Sequence, residues 1–253
     1  MRKKPAPITF DVVSTELVTP NMRRVSLGGN ALDDFPSDQD GGYLKLMIPA
    51  ADESDRDFVR TYTISRQRPD RLDIDFALHG ADGEGGPAVA WSQHAKPGDQ
   101  LAVNGTPGPA KPLPNDADWY LVIGDMTALP AITVNLAALP SDATGVAVIE
   151  IQDEDDRQDL AHPEGVDIQW VVNPHPGAKP DAFEKVVRDV PWREGQVYAW
   201  SATEFEAMRR IRTYLRNERG LGPKELYISS YWKAGLNEDR HREVKQADAD
   251  APS

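Results

Sequence analysis

A segment rich in proline and glycine, residues 105–114, separates two halves of the chain that have different hydrophobic patterns. Its ten residues include four prolines and two glycines, a composition that excludes a helix or a central strand. Before this segment, short runs alternate between apolar and polar residues, which predicts six mostly antiparallel strands in a closed or nearly closed barrel. After it, continuous apolar runs alternate with helical stretches, which predicts a parallel sheet covered on both faces.

The length of 253 residues suits two compact domains. We predict a six-stranded antiparallel β-barrel over residues 1–112, a Rossmann-like α/β domain over 113–236, and a polar tail over 237–253. The tail is rich in Ala and Asp, which predicts a frayed helix or a disordered segment.

Composition excludes several classes of function. The chain has no cysteine, so a disulfide framework, a thiolate nucleophile and a cysteine-ligated iron–sulfur cluster are ruled out. The formal charge of −13 argues against a nucleic-acid partner. The five histidines have no metal-binding spacing, so we predict no metal site. If the chain moves electrons, a non-covalent organic cofactor must carry them.

The chain shows no sign of membrane insertion or export. No run of about eighteen apolar residues occurs, so no membrane-spanning helix is predicted. The basic N-terminus lacks the apolar core of a signal peptide, which predicts a cytoplasmic protein.

The hexapeptide Arg-Thr-Tyr-Thr-Ile-Ser at residues 60–65 is the strongest candidate for ligand binding in the first half. On a strand every second side chain points the same way, so Arg60, Tyr62 and Ile64 share one face. An arginine can bind a phosphate bidentately while a tyrosine contacts a flat heteroaromatic ring. The alternative is an ordinary barrel strand with a surface arginine.

A second candidate follows it. Residues 71–79 alternate as a strand and lead into a glycine-rich turn at 80–86, after which Pro87 opens a short helix. This arrangement aims free backbone N–H groups at an anion, and a pyrophosphate would fit there.

These motifs, taken in order, resemble a known family. Arg-x-Tyr-Thr at 60–63, His-Gly at 79–80, Gly-Pro-Ala-x-x-Trp at 86–91 and Lys-Pro-Gly-Asp at 96–99 resemble the flavin-binding half of the siderophore-interacting proteins, a branch of the ferredoxin-NADP reductase superfamily. Residues 124–132, Gly-Asp-Met-Thr-Ala-Leu-Pro-Ala-Ile, are similar to the signature Gly-Asp-Glu-Thr-Ala-Leu-Pro-Ala-Ile of that family. The resemblance covers about residues 6 to 236.

The resemblance implies an FAD-dependent ferric-siderophore reductase that reduces chelated Fe(III) to Fe(II) and so releases iron. NADH, NADPH or reduced ferredoxin would supply the electrons, and no catalytic side chain is implied because the flavin carries the redox chemistry. The first domain would bind FAD and the second would be similar to an NAD(P)H-binding domain.

The resemblance also assigns residues. Arg60 would hold the FAD phosphate, Tyr62 and Thr63 would contact the isoalloxazine, and the helix start at Gly86, Pro87 and Ala88 would take the pyrophosphate. Further cofactor contacts are implied for Ile64, Asp75, His79 and Trp232.

Three lysines would attract an anionic ferric siderophore: Lys45, Lys111 and Lys233. The electron donor would meet Asp125, Thr127, Ala128 and Glu204. Each lysine alone also fits a solvated side chain, and His79 also fits a turn cap.

The chain departs from the family pattern at three positions. Met126 replaces an acidic residue, and Thr203 replaces a glycine, which argues against close approach of a dinucleotide. Ser65 stands where the family has an arginine, and Arg66 follows one position later. A shift of one residue reverses the face of a strand side chain, so Arg66 is not expected to replace it.

Two other functions fit these residues. One is a general flavin NAD(P)H oxidoreductase that delivers electrons to a protein or a quinone. The other is a non-catalytic siderophore-binding protein, which would hold no tight yellow cofactor.

Overall fold

The fold is taken from a computed structural model, which describes residues 6–50, 57–79, 85–236 and 238–249. The chain forms two compact units, Met1–Pro112 and Leu113–Ser253. None of the helices in the described residues is long and apolar enough to cross a membrane.

The first unit is a closed barrel in which each strand is antiparallel to its neighbours, in the order β1-β2-β5-β4-β3-β6. The predicted six-stranded barrel is therefore confirmed. Its strands are β1 (Ile8–Thr19), β2 (Met22–Gly28), β3 (Tyr43–Ile48), β4 (Phe58–Arg68), β5 (Arg71–Ala77) and β6 (Gln100–Val103). One helix, α1 (Gly86–His94), lies between β5 and β6 in the chain.

Alternation along the strands fills the barrel interior. On β5, the side chains of Leu72, Ile74 and Phe76 are fully buried in the barrel core, while Asp73 and Asp75 alternate with them and point to the opposite face. Helix α1 packs Ala88 into the same core and lays Trp91 against it. The start of α1 is thereby held beside the strands that carry the candidate ligand-binding residues.

The second unit is a five-stranded parallel sheet in the order β11-β10-β7-β8-β9. Its strands are β7 (Trp119–Gly124), β8 (Thr144–Ile151), β9 (Gly165–Val172), β10 (Val197–Glu204) and β11 (Leu226–Trp232). Its helices are α2 (Leu129–Ala137), α3 (Pro180–Asp189), α4 (Phe205–Thr213) and α5 (Glu238–Ala249), and a π-helical turn, Tyr214–Glu218, extends α4.

Helices cover both faces of this sheet, as its uninterrupted apolar strands predict. Phe183 of α3 and Ile211 of α4 belong to the same buried cluster as Ile123 of β7. Gly124 faces away from that cluster, and a β-carbon there would lie 2.4 Å from Cδ1 of Ile132 in α2. Glycine is thus needed for α2 to pack closely on the opposite face.

The polar tail forms more structure than its composition predicts, because the helix α5 is anchored at three points on one face. His241 Nε2 lies 2.8 Å from Ser230 Oγ, and Lys245 Nζ donates to the Ser230 carbonyl at 3.0 Å. Asp248 accepts two hydrogen bonds from the guanidinium of Arg212 on α4. Residues 241, 245 and 248 are spaced so that they lie on one face of a helix. The positions of these residues, and not the composition of the tail, are therefore the sequence signal for an anchored helix.

Candidate functional site

The face of β4 predicted to bind a ligand carries Arg60 and Tyr62 beside the barrel core. The ring of Tyr62 lies 4.3 Å from that of Phe76, which in turn lies 5.9 Å from that of Trp91 on α1. The guanidinium of Arg60 lies 5.4 Å from the ring of Phe58, and its Nη1 donates to the Val59 carbonyl. The structure therefore places a half-buried cation and a half-buried phenol ring on neighbouring positions of one strand.

Thr63 and Ile64 are more buried than the other residues predicted for the cofactor on this strand. The side chain of Ile64 is fully buried in the barrel core, and its main-chain N–H donates to the Gly42 carbonyl at 2.7 Å. Thr63 is also buried and lies opposite Tyr43 on β3. The structure gives Ile64 a packing role, and the cofactor contacts of both residues stay predictions.

An irregularity in β4 changes the expected orientation of Arg66. Ile64 pairs with Ile74 on β5, but Arg66 pairs with Asp73, so one extra residue is present between the two pairs. Arg66 therefore lies opposite Asp73, on the face to which Ser65 also points. Simple alternation predicted opposite faces for Ser65 and Arg66, and the bulge removes that alternation.

The carboxylate of Asp75, predicted to contact the cofactor, is held by neighbouring side chains. Arg24 donates to its two oxygens at 2.7 and 2.8 Å, and Ser65 Oγ donates to Oδ2 at 2.7 Å. This hydrogen bonding to Asp75 raises the pKa of Arg24. Asp75 is thus part of an ion-paired cluster on the outer face of β2, β4 and β5, and its contact with a cofactor remains a prediction.

The start of α1 has the features of an anion site. Its N-cap residue is Gly85, which has no side chain that could cap the helix, and the first turn holds no acidic residue. Gly86 has a φ of 83°, and no atom of the described residues lies within 4 Å of the position where its β-carbon would be. Pro87 occupies the first turn. The N–H groups at a helix start and the positive end of the helix dipole together fit a pyrophosphate.

His79 and the lysines have different surroundings. The His79 carbonyl lies 2.5 Å from the position that a β-carbon on Gly85 would take, so His79 borders the helix start, and residues 80–84 of the predicted turn lie outside the described residues. Lys45 and Lys111 are exposed. Lys233 is paired, because its Nζ lies 2.6 Å from Glu206 Oε1 and 4.3 Å from the centre of the Phe205 ring. A role for Lys233 in attracting an anion would require it to leave Glu206.

The carboxyl edge of the parallel sheet carries polar side chains at or just after the end of every strand, where ligands bind in such folds. These side chains belong to Asn173 after β9, Glu150 on β8, Asp125 after β7, Thr203 on β10 and Ser230 on β11. A pocket opens at this edge, and its polar lining consists of Asp125, Glu150, Asn173, Lys179, Thr203 and Glu204.

Asp125, predicted to meet the electron donor, is the centre of a hydrogen-bond cluster. Its Oδ1 accepts from the N–H and the hydroxyl of Thr127 at 2.9 and 2.5 Å. Its Oδ2 accepts from the Glu204 N–H at 2.9 Å and from Trp232 Nε1 at 2.8 Å. Burial raises the pKa of Asp125, against the effect of these hydrogen bonds. The structure therefore brings Asp125, Thr127, Glu204 and Trp232 together.

Glu204 serves as the N-cap of α4. Its Oε2 accepts from the N–H groups of Glu206 and Ala207, and its Oε1 accepts from the Ala234 N–H at 3.1 Å. Only 4% of Glu204 is exposed. Ala128 is fully buried at the start of α2. The structure gives both residues structural contacts, and their contact with a donor stays a prediction.

Glu150 is a residue of this pocket that the sequence did not single out as a site residue. Asn173 Nδ2 donates to its Oε2 at 3.1 Å. The pKa of Glu150 is raised to about 7, chiefly by burial and also by the negative charges of Asp125 and Glu204, against the hydrogen bond from Asn173, which lowers it. The position of Glu150 at the carboxyl end of an apolar run was the only sequence signal for a site residue. The neighbours that raise its pKa, Asp125 and Glu204, belong to other parts of the sequence.

Replacing Glu150 by glutamine is expected to flatten the pH dependence of stability between about pH 4.5 and 7. A carboxyl group whose pKa is about 7 when folded and 4.5 when unfolded holds its proton more tightly in the native state. The free energy of unfolding therefore falls as pH rises through this window, by up to about 3 kcal/mol from this residue. Urea unfolding at a series of pH values measures it. Asp155→Asn, an exposed change, is the control, and identical pH profiles for wild type and Glu150→Gln would contradict the assignment.

Comparison with known proteins agrees with this architecture. The siderophore-interacting FAD-binding domain family matches residues 11–58 and 49–110, and the siderophore-interacting protein family matches residues 117–235. The ferric vibriobactin reductase ViuB of Vibrio cholerae serotype O1 is 34% identical over 259 residues, covering 94% of each chain.

Solved structures have the same fold. The siderophore-interacting protein SipS from Aeromonas hydrophila superposes with a TM-score of 0.85 at 32% identity, covering 97% of this chain and 98% of that one. A ferredoxin-NADP+ reductase from Plasmodium falciparum superposes with a TM-score of 0.66 at 16% identity, covering 89% and 96%, a likeness of fold alone. Because the family matches span both units and the relatives match over nearly their whole length, the chain belongs to the family of siderophore-interacting proteins.

Proposed function

We propose that this protein is an FAD-dependent ferric-siderophore reductase, which reduces chelated Fe(III) to Fe(II) and so releases iron from the chelate. The observation that carries the proposal is the 34% identity to a ferric vibriobactin reductase over 94% of both chains. The barrel supplies independent physical support, since it combines an open helix start with an arginine and a tyrosine on one strand.

The residues of the barrel fit the parts of FAD. The start of α1 at Gly86, Pro87 and Ala88 would take the pyrophosphate, and Arg60 would add a positive charge to the phosphates. Tyr62 would lie against the isoalloxazine, since its ring is half-buried and braced by Phe76. When bound, FAD supplies a redox centre that takes two electrons from a donor and passes single electrons to ferric iron.

The protein would attract its substrate through positive charges on its surface. Lys45 and Lys111 are exposed and basic, so they would attract a negatively charged ferric chelate to a protein that is otherwise acidic. Ferrous iron is a softer cation than ferric iron, so hard oxygen ligands hold it less tightly after reduction. The electron donor would be NADH, NADPH or reduced ferredoxin.

The test is the visible spectrum of the purified protein during anaerobic additions. We expect flavin bands that bleach on adding NADH, NADPH or reduced ferredoxin and return on adding a ferric siderophore, while a ferrous chelator develops its colour in step. Bleaching without reoxidation by any ferric chelate would favour a general flavin oxidoreductase. A colourless protein that FAD does not reconstitute would leave a siderophore-binding protein instead.

A further inference from the structure

The parallel sheet ends in two edge strands, β11 and β9, and the β11 edge carries features that block the addition of a further strand. Between its pairs with Thr203 and Glu204 of β10, β11 contains one extra residue, which displaces Trp232. Lys245 of α5 also donates to the Ser230 carbonyl at 3.0 Å. Bulges and lysine side chains keep edge strands from pairing with another chain. The β11 edge is therefore protected.

Strand β9, Gly165–Val172, forms the opposite edge and has a different character. Its sequence, Gly-Val-Asp-Ile-Gln-Trp-Val-Val, contains no lysine, arginine or proline. Its register with β8 is continuous over all eight residues. A regular strand of this length at the edge of a sheet is a template for pairing with another chain.

The main-chain groups of β9 alternate in direction, so every second residue faces away from β8. The Asn173 N–H donates to the Ile151 carbonyl of β8 at 2.7 Å. The odd-numbered residues of β9 therefore point toward β8, whereas Ile168, Trp170 and Val172 direct their N–H and C=O groups outward. Among the described strands, β9 has β8 as its neighbour on one side, so these outward groups have no strand partner.

The side chains of the same three residues form an apolar strip on one face of the sheet. Val172 is 38% exposed, and Ile168 and Trp170 are half-buried. Their neighbours Ile149 and Ile151 on β8 lie opposite Trp170 and Val172 and are buried. The apolar layer of the sheet thus continues to its edge, where a further strand would remove it from water.

We propose that β9 is the interface of a homodimer, in which β9 of a second copy pairs with it antiparallel about a twofold axis. One register satisfies every outward group. If Trp170 lies opposite Trp170 of the second copy, Ile168 lies opposite Val172 in both halves. Each of these pairs would exchange two main-chain hydrogen bonds, and their side chains would meet as apolar cross-strand pairs. The five-stranded sheets of the two copies would become one continuous sheet.

The other face of the strand favours the same register. Gln169 would lie opposite Val171 of the second copy, and the exposed carboxylate of Asp167 would lie opposite Asn173. The one charged side chain of β9 would therefore not meet its own copy, which would be destabilising. This matters in a chain with a formal charge of −13. The strand is thus complementary to itself in hydrogen bonding, apolar contact and charge, which favours a second copy over an unrelated peptide.

Sedimentation equilibrium of the full chain as purified tests the dimer. We expect the average mass to rise from the 27.9 kDa of one chain toward twice that value between about 1 and 100 µM, because small interfaces bind weakly. Val172→Lys is expected to raise the dissociation constant by about 10-fold or more, because its ammonium would lose water against Ile168. Leu17→Lys is the matched control, since Leu17 is a 59% exposed apolar residue of β1, and we expect it to leave the dissociation constant unchanged.

A single introduced cysteine tests the register, because the chain has no cysteine of its own. In Trp170→Cys the two thiols would face each other across the twofold axis, with Cα atoms about 5.5 Å apart, a separation that a disulfide bridges. With oxidised glutathione as oxidant, we expect a covalent dimer on a non-reducing gel. Gln169→Cys is the matched control. Its two thiols would lie diagonally, about 7–8 Å apart, so we expect no covalent dimer in the same time.

The inference is independent of the proposed function, since neither flavin nor iron takes part in the pairing. A wild type that stays monomeric at every concentration would overturn the homodimer and leave an extended peptide of another protein as the occupant of the edge. An unchanged dissociation constant in Val172→Lys would also overturn it, because the copies would then associate elsewhere. Equal linking of Trp170→Cys and Gln169→Cys would overturn the register. Thermal melts check that each variant folds, and the masses of wild type and Val172→Lys decide the question if Trp170→Cys does not.

Discussion

Replacing Arg60 by alanine is expected to raise the dissociation constant for FAD by about 30-fold or more, because truncating one partner of a charged pair costs roughly 2–5 kcal/mol. The guanidinium of Arg60 donates to the Val59 carbonyl and lies over the ring of Phe58, both near neighbours on its own strand, so folding is expected to depend on it little. Flavin fluorescence during titration of FAD into apoprotein measures the affinity.

Lys96→Ala is the matched control for this experiment. Lys96 is an exposed cation of the same unit, and its ion pair with Asp99 is local. We expect unchanged FAD affinity in Lys96→Ala and an unfolding curve for apo Arg60→Ala close to that of wild type. Equal FAD affinity in Arg60→Ala and wild type would remove Arg60 from the phosphate site.

Replacing Gly108 by alanine is expected to lower the free energy of unfolding by about 1–3 kcal/mol, the usual cost of overpacking. A β-carbon on Gly108 would lie 2.0 Å from Cζ of Tyr43. The two residues exchange main-chain hydrogen bonds of 3.0 and 2.8 Å, so the backbone cannot retreat without breaking them. Chemical denaturation of the FAD-free protein measures the loss.

A double-mutant cycle with Tyr43→Ala isolates the cause, because removing the phenol ring gives the new methyl group room. Gly108→Ala is expected to cost less in the Tyr43→Ala background than in wild type. Gly222→Ala serves as the control, since its nearest neighbour would be the flexible carboxylate of Glu225 at 3.1 Å. Additive free energies in the cycle would show that the ring is not the obstacle.

The barrel and the parallel sheet followed from local patterns along the chain. Alternation in segments such as 71–77 predicts strands with one buried face, and the apolar run at 119–123 predicts a buried parallel strand. Both patterns arise from the same cause: successive side chains of a strand point to opposite faces, so alternation indicates one apolar face and an uninterrupted apolar run indicates two. The order of motifs along the chain is likewise enough to indicate the siderophore-interacting proteins.

Local sequence patterns predict side-chain orientation less well where a strand contains an extra residue or where long-range contacts hold a segment in place. The bulge in β4 gives Arg66 an orientation that alternation did not predict, and the extra residue in β11 re-aims Trp232. The composition of the tail predicts a frayed helix or a disordered segment, and the structure has a helix, α5, that three polar side chains anchor to the sheet and to α4. In each case the deciding interactions join residues far apart in sequence.

The hydrogen-bond cluster around Asp125 in the α/β unit depends entirely on such long-range contacts. Sequence motifs marked Asp125, Glu204 and Trp232 as site residues one at a time, and predicted that each would meet a ligand. Folding brings residues separated by 79 and 107 positions to one carboxylate, so that Asp125 accepts from both of the others. Periodicity and motif order therefore suffice for the strands, the family and the residues of interest, because those are local properties. Which residue supports and which one meets the ligand depends on burial and hydrogen bonding across strands, and these exist only in the folded chain.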